Sequence, residues 1–89
     1  MKIHFSTRFI ALHQKLIKRR PSVKTAFERA MLLLQEDMRV PSLKVHKLSG
    51  KLEDRWAFSL TYDLRVIFQL EKDTIILTHI GTHDEVYGE

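Results

Sequence analysis

The run from Arg55 to Leu70 constrains this chain most. Trp56, Phe58 and Leu60 alternate with Ala57, Ser59 and Thr61, and a period of two is the pattern of a strand with one face buried. Arg65 to Leu70 follows as a second strand, whose near-continuous apolar stretch Val66, Ile67 and Phe68 predicts a central position in a sheet. Thr-Tyr-Asp-Leu between the two reads as a turn, since Asp63 supports side chain to backbone hydrogen bonding. Glu71 to Thr74 forms the next turn, and Ile75, Ile76 and Leu77 open a third strand that runs to about Ile80. A three-stranded meander of this kind has an apolar face that something else must cover.

The residues ahead of it supply the cover. Lys2 to Phe5 reads as a short strand, with Ile3 and Phe5 on one face and His4 on the other. Ser6 offers an N-cap hydroxyl to a helix carrying Phe9, Leu12, Leu16 and Ile17 at helical spacing. His13, Lys15, Lys18, Arg19 and Arg20 fall mostly off that stripe, giving the helix a basic end. Pro21 stops it and Ser22 caps a second helix, with Val23, Ala26, Phe27, Ala30, Met31 and Leu34 on its apolar side. The two form an antiparallel hairpin. After Pro41 a basic connector carries Leu43, Val45 and Leu48, with Lys44, His46, Lys47 and Lys51 close together. Gly81 permits a bend before the tail Thr-His-Asp-Glu-Val-Tyr-Gly-Glu. The expected class is α+β: an N-terminal strand, a two-helix hairpin, then a three-stranded antiparallel meander with the helices packed on one face. Residues 1–89 are expected to form one domain, because a chain of 89 residues has room for one core.

Composition narrows the partners. With 44% hydrophobic residues in periodic arrangement, an ordered fold is expected. The absence of cysteine excludes a disulfide framework and a thiolate metal site. No apolar run approaches the roughly 20 residues that span a bilayer, and the segment after Met1 is too short in apolar residues for a secretory signal. A cytoplasmic location is expected. The formal charge of +4 favours an anionic partner, although a charge of this size also serves solubility.

Five histidines invite a metal assignment, but no His-Glu-x-x-His occurs, and Gly81 argues against a helix joining His79 and His83. No metal or cofactor is expected, and His4 and His13 are expected at the surface or an edge. His46, His83 and Asp63 remain as general acid and base candidates. Histidine both takes and gives a proton near neutral pH, as cleavage of RNA by its own 2′-hydroxyl requires. Lys44, Lys47, Lys51 and Arg65 are candidates to stabilise charge on a phosphorane-like transition state. Each residue has a plain structural alternative: His46 in a loop, Asp63 forming a turn, His83 in a tail, and Arg65 paired with Glu53 or Asp63 across the sheet. Trp56, alternating with Phe58, fits a core, whereas Tyr87 in a polar tail is free to stack on a base.

Three segments occur together and in order: Val-His-Lys-Leu-Ser-Gly-Lys-Leu, then Trp56 to Tyr-Asp-Leu-Arg-Val-Ile-Phe, then Ile-Gly-Thr-His-Asp-Glu-Val-Tyr-Gly. This combination resembles the RelE/ParE superfamily of toxins from type II toxin-antitoxin systems, and within it the YafQ-type ribonucleases. The resemblance implies a RelE-like fold, a cognate antitoxin partner in a hetero-oligomer, and metal-independent cleavage of mRNA in the ribosomal A site. It also implies that His46, Asp63 and His83 are catalytic, with His83 and Asp63 as the proton-transfer pair and His46 as a second acid or base, or a phosphate ligand. Lys44, Lys47, Lys51 and Arg65 would hold phosphates, and Tyr87 would stack on or orient the scissile nucleotide. A further subgroup histidine falls on Ser59 here, and a hydroxyl does not replace imidazole as a base near neutral pH. Two other outcomes stay open: a ParE-type inhibitor of DNA gyrase, and a member that only binds its antitoxin.

Overall fold

The computed structural model describes residues 2–48 and 54–87. Strand β1 (Lys2–Phe5) leads into helix α1 (Thr7–Arg19), helix α2 (Ser22–Glu36) and a 3-10 turn over Pro41–Leu43. Strands β2 (His46–Lys47), β3 (Trp56–Ser59), β4 (Leu64–Glu71) and β5 (Thr74–Thr82) follow, and helix α3 (His83–Tyr87) comes last. The five strands form one mixed sheet in the order β1-β5-β4-β3-β2. Strands β2 to β5 are antiparallel neighbours, and β1 lies parallel to β5 with Ile3 opposite Ile75.

The α+β class and the helical hairpin agree with the sequence. Ser6 caps α1 as its position suggests: its hydroxyl accepts from the Phe9 amide at 3.1 Å, satisfying one of the free donors of the first turn. Both stripes face the sheet, with Phe9, Leu16, Val23, Phe27, Ala30 and Leu34 buried. They meet Phe58, Leu64, Val66, Phe68, Ile75, Leu77 and Ile80 in one core. Strand β4 is central, as its apolar run predicts, and Val66, Ile67 and Phe68 are all buried.

Strand β5 holds a β-bulge. Ile67 pairs with His79 while the next residue, Phe68, pairs with Leu77, so Thr78 is the extra residue. Its hydroxyl donates to the Ile67 carbonyl at 3.2 Å, which gives the interrupted ladder a partner. The bulge also changes the parity of the strand. Ile75 and Leu77 face the helices before it, and Ile80 faces them after it. His79 and Gly81 are thereby left out of the core, where simple alternation would have put them.

Several expectations are corrected. The meander has four strands, because His46–Lys47 adds an edge strand to β3. Leu43 belongs to the 3-10 turn, which Lys44 closes in the left-handed region at φ 52°. Pro21, not Ser22, occupies the N-cap of α2, where its missing amide hydrogen costs nothing. The chain does not bend away at Gly81: β5 continues to Thr82, and the expected tail is α3. His13 is not simply at the surface. Its ring lies 4.5 Å from that of Phe27 and 5.5 Å from that of Phe9, Nε2 is buried without a partner among the described residues, and burial lowers its pKa.

Phe68, fully buried, has its ring centroid 6.1 Å from Phe58 and 6.4 Å from Trp56. Removing such a ring costs its transfer free energy and leaves a cavity. Phe68→Ala should lower the unfolding free energy by about 3–5 kcal/mol, read from urea denaturation. A loss under about 1 kcal/mol would show that the core refills around the vacancy.

Candidate functional site

The turn between β3 and β4, residues 60–63, shapes the site. Asp63 accepts from both terminal nitrogens of Arg20, at 2.8 and 3.3 Å, and from the Thr61 hydroxyl at 3.0 Å. The Arg20 side chain comes from the residue that ends α1, so a forked ion pair ties the helix end to the turn. The hydrogen bonds from Arg20 and then Thr61 hold the Asp63 carboxyl down at about 2, from an ordinary 3.8. Both side chains remain 41% exposed, so water screens the pair. While Arg20 holds it, Asp63 is a fixed anion of low basicity.

Arg65 does not take this carboxylate. Its Nη1 donates to three backbone carbonyls of the same turn, those of Leu64 at 3.1 Å and of Thr61 and Tyr62 at 3.3 Å. These neutral partners orient the guanidinium without cancelling its charge. Glu53, the other expected partner, lies outside the described residues, as does Lys51.

His83 is positioned by a capping box. The Thr82 hydroxyl accepts from the Glu85 amide at 3.3 Å, and Glu85 Oε1 accepts from the Thr82 amide at 2.8 Å. His83 is thus the first residue of α3, with its side chain 71% exposed and its ring 4.4 Å from that of Tyr87. A Cβ added to Gly81 would stand 2.8 Å from Glu85 Oε1, so the glycine makes room for the cap. The Gly-Thr-His-Asp-Glu segment is therefore a device for presenting one imidazole. Tyr87 is half-buried on α3 rather than free in a tail, and burial raises its hydroxyl pKa.

Asp63, Arg65 and His83 line one hollow of about 400 Å³, together with Tyr62, Thr82 and Asp84. Arg65 and Tyr62 also line a second, of about 450 Å³, with Lys44, Ser42, Ser59, Leu60 and Thr61. Tyr62, 97% exposed, stands at the boundary of the two. His46 lines neither hollow. Its register partner is Ala57, two residues before Ser59, so it shares the sheet face of Ser59 and of Arg65, which pairs with Ser59. His46 Nδ1 lies 2.9 Å from the Lys44 carbonyl. A carbonyl only accepts, so Nδ1 carries the proton and Nε2 of the neutral ring is left as an acceptor. Lys47, exposed on β2, pairs with Trp56 and belongs to the other face.

Tyr62, Arg20 and Thr61 were not foreseen in the sequence as parts of this site. Tyr62 had a signal, since an aromatic ring inside a polar turn has no core to enter. Arg20 had none, lying 43 residues from Asp63. Among the described residues, no group of three or more His, Cys, Asp or Glu side chains gathers to hold a metal ion.

Replacing Arg20 tests the clamp. A folded-state pKa below the unfolded one gives stability that is present above about pH 4 and lost as the pH falls through about 2. In Arg20→Gln the Asp63 carboxyl, followed by NMR, should titrate above about 2 and toward 3.8, the Thr61 bond still holding it down, and this part of the acid sensitivity should shrink. Titration still near 2 in the variant would assign the shift to Thr61 instead.

Comparison with known proteins sets this geometry in a family. YafQ from E. coli is 20% identical, covers 98% of each chain and superposes with a TM-score of 0.81. YafQ in the E. coli DinJ-YafQ complex is 21% identical over 98% of each chain, with a TM-score of 0.78. A metal-bound toxin from Helicobacter pylori is 28% identical over 97% of this chain and 98% of its own, with a TM-score of 0.76. Among curated protein sequences there is no significant match. The family model described as bacterial toxin of type II toxin-antitoxin system, YafQ, matches residues 1–88. The chain therefore belongs to the YafQ family of bacterial toxins of type II toxin-antitoxin systems.

Proposed function

We propose that this toxin is a metal-independent endoribonuclease that cleaves mRNA, in the ribosomal A site, by attack of the RNA's own 2′-hydroxyl. The observation that supports it most is the grouping of His83, Arg65 and Asp63 around one open hollow, with Arg65 also facing a second hollow beside Lys44. An imidazole and a guanidinium held by backbone carbonyls are what a phosphodiester transfer can use at its centre.

In the reaction the 2′-oxygen loses its proton and attacks the adjacent phosphorus, the bond from phosphorus to the 5′-oxygen breaks, and that oxygen takes up a proton. A 2′,3′-cyclic phosphate and a free 5′-hydroxyl result. Arg65 balances the charge that gathers on the non-bridging oxygens, with Lys44 supporting it from the second hollow. His83 exchanges a proton with the RNA at the hollow. His46 is the second imidazole, its tautomer set by the Lys44 carbonyl so that Nε2 accepts. Asp63 acts as an anion that locks Arg20 and the turn rather than as the proton carrier expected from the sequence, because its pKa stands near 2. Tyr87 supports the His83 ring, and Tyr62, exposed between the hollows, offers a face to a base.

A cognate antitoxin is part of this proposal. The DinJ-YafQ complexes are pairs of that kind, and a small domain gains stability from a bound partner. A cytoplasmic site of action fits a target on ribosomes, and no helix among the described residues is long and apolar enough to cross a membrane.

Ser59 favours a second reading, in which the chain binds its antitoxin and cleaves RNA feebly, since the second hollow has a hydroxyl where the subgroup has an imidazole. One experiment separates the two. In a translating extract, the wild type should cut mRNA, and His83→Ala should lose at least a hundredfold of that activity, the usual scale of one acid-base group. The same variant should fold normally, because the side chain is largely exposed, and should no longer arrest growth. Intact mRNA with the wild type, alongside normal antitoxin binding, would establish the second reading.

A further inference from the structure

Helix α1 carries cations that the reaction hollow does not use. Arg8, Lys15 and Arg19 are seven and eleven residues apart along α1, close to two and three turns, so they stand in one row over about 16 Å of helix axis. All three line a groove of about 520 Å³, together with Leu12 and Ile80 and with His79, Gly81, Glu85 and Val86. Neither Lys15 nor Arg19 has an ion pair or a side-chain hydrogen bond among the described residues. The one carboxylate present, Glu85, has Oε1 engaged by the Thr82 amide. The groove is short of negative charge.

Arg8 is held in place. Its Nη1 lies 3.0 Å from His79 Nε2, and since a guanidinium only donates, Nε2 is the acceptor. His79 Nδ1 then bears the proton, lies 3.1 Å from the Thr78 hydroxyl, and that hydroxyl donates to the Ile67 carbonyl. Burial, then the charges of Arg8 and Arg55, lower the His79 pKa, which agrees with the neutral ring. A row of hydrogen bonds anchored in the bulge of β5 thus fixes one nitrogen of Arg8. The remaining N–H donors of the guanidinium stay available.

We propose that this groove binds backbone phosphates of the RNA strand whose scissile phosphate lies in the reaction hollow. The inference rests on the assignment of that hollow to RNA. Helix α3 is the wall between them: His83 and Asp84 face the hollow, Glu85 and Val86 face the groove. A strand crossing α3 from one passes into the other. That shared wall favours RNA over an acidic peptide, which would have no reason to continue into the hollow. The row of cations matches the repeated, equally charged groups of a nucleic-acid backbone, and it confers no sequence preference.

The test uses the full chain and two uncleavable probes, a 2′-O-methyl oligoribonucleotide of about ten residues and the corresponding dinucleotide, whose blocked hydroxyls cannot attack. The long probe reaches both sites and the short one only the hollow. Lys15→Gln with Arg19→Gln removes two unpartnered cations, so folding should be unaffected. Its affinity for the long probe should fall about tenfold at low salt, and the salt dependence of binding should flatten by about 1.4, at ~0.7 per cation for a single strand. Dinucleotide binding should not change. Glutamates at both positions should weaken the long probe further. Equal binding of the long probe by variant and wild type, or equal weakening of both probes, would overturn the proposal. So would unchanged RNA binding with lost affinity for an acidic antitoxin segment, which would assign the groove to protein. Wild-type protein that binds neither probe sinks the RNA assignment of the hollow as well. Wild-type protein that binds both probes but leaves mRNA intact in a translating extract removes only the catalytic reading, and leaves the groove as proposed.

Discussion

The fork between Arg20 and Asp63 is the contact on which the arrangement of the site depends. It joins the last turn of α1 to the turn between β3 and β4, two parts of the chain that no shared strand or helix connects. The helices are already packed on the sheet by Phe9, Leu16, Phe27 and Leu34, so the pair adds little to overall stability, being well exposed. What it sets is position. With Asp63 held from outside and Thr61 bonded to it from within, the turn keeps one shape, and Arg65 can use that turn's carbonyls as a cradle.

Two further backbone devices aim side chains that packing alone would leave elsewhere. The bulge at Thr78 turns His79 out of the core while letting Ile80 back in. The capping box of Thr82 and Glu85 ends β5 and starts α3 within one residue, so His83 emerges at the first turn of a short helix. Both devices lie on β5, which among the described residues is also the only partner of β1. Rigid scaffolding next to an exposed imidazole is what a pre-organised site requires.

Much of this was legible in the sequence, and the reasons for the rest are physical. Periods of two and 3.6 gave the three long strands and both long helices, since each buries one face and the pattern follows burial. The His-x-Leu-x-Gly, Tyr-Asp-Leu and Gly-Thr-His segments carried His46, Asp63 and His83 through resemblance. Local pattern did not show the partner of Asp63, because side chains 43 residues apart meet only through tertiary packing. Nor did it show β2, whose two residues are too few for alternation to register. Helix α3 was hidden by Gly81, which reads as a breaker although Thr-x-x-Glu after it is a helix start. Parity at His79 depends on a bulge, and a bulge leaves no reliable mark in composition.

Charge bookkeeping across the turn explains why the unexpected partner matters. Had Asp63 paired with Arg65, a neutral couple would occupy the hollow, and an incoming phosphate would have to compete with a carboxylate for the guanidinium. In the structure Arg20, from the helix end, meets that carboxylate instead, and Arg65 rests on carbonyl dipoles. Those dipoles orient the guanidinium but carry no net charge, so among the described residues it has no carboxylate partner at the hollow it lines with His83. The ionised Asp63, its pKa near 2, stays engaged across the whole physiological range and cannot take Arg65 away when the pH changes. One arginine thus serves as the counter-ion that leaves the other free.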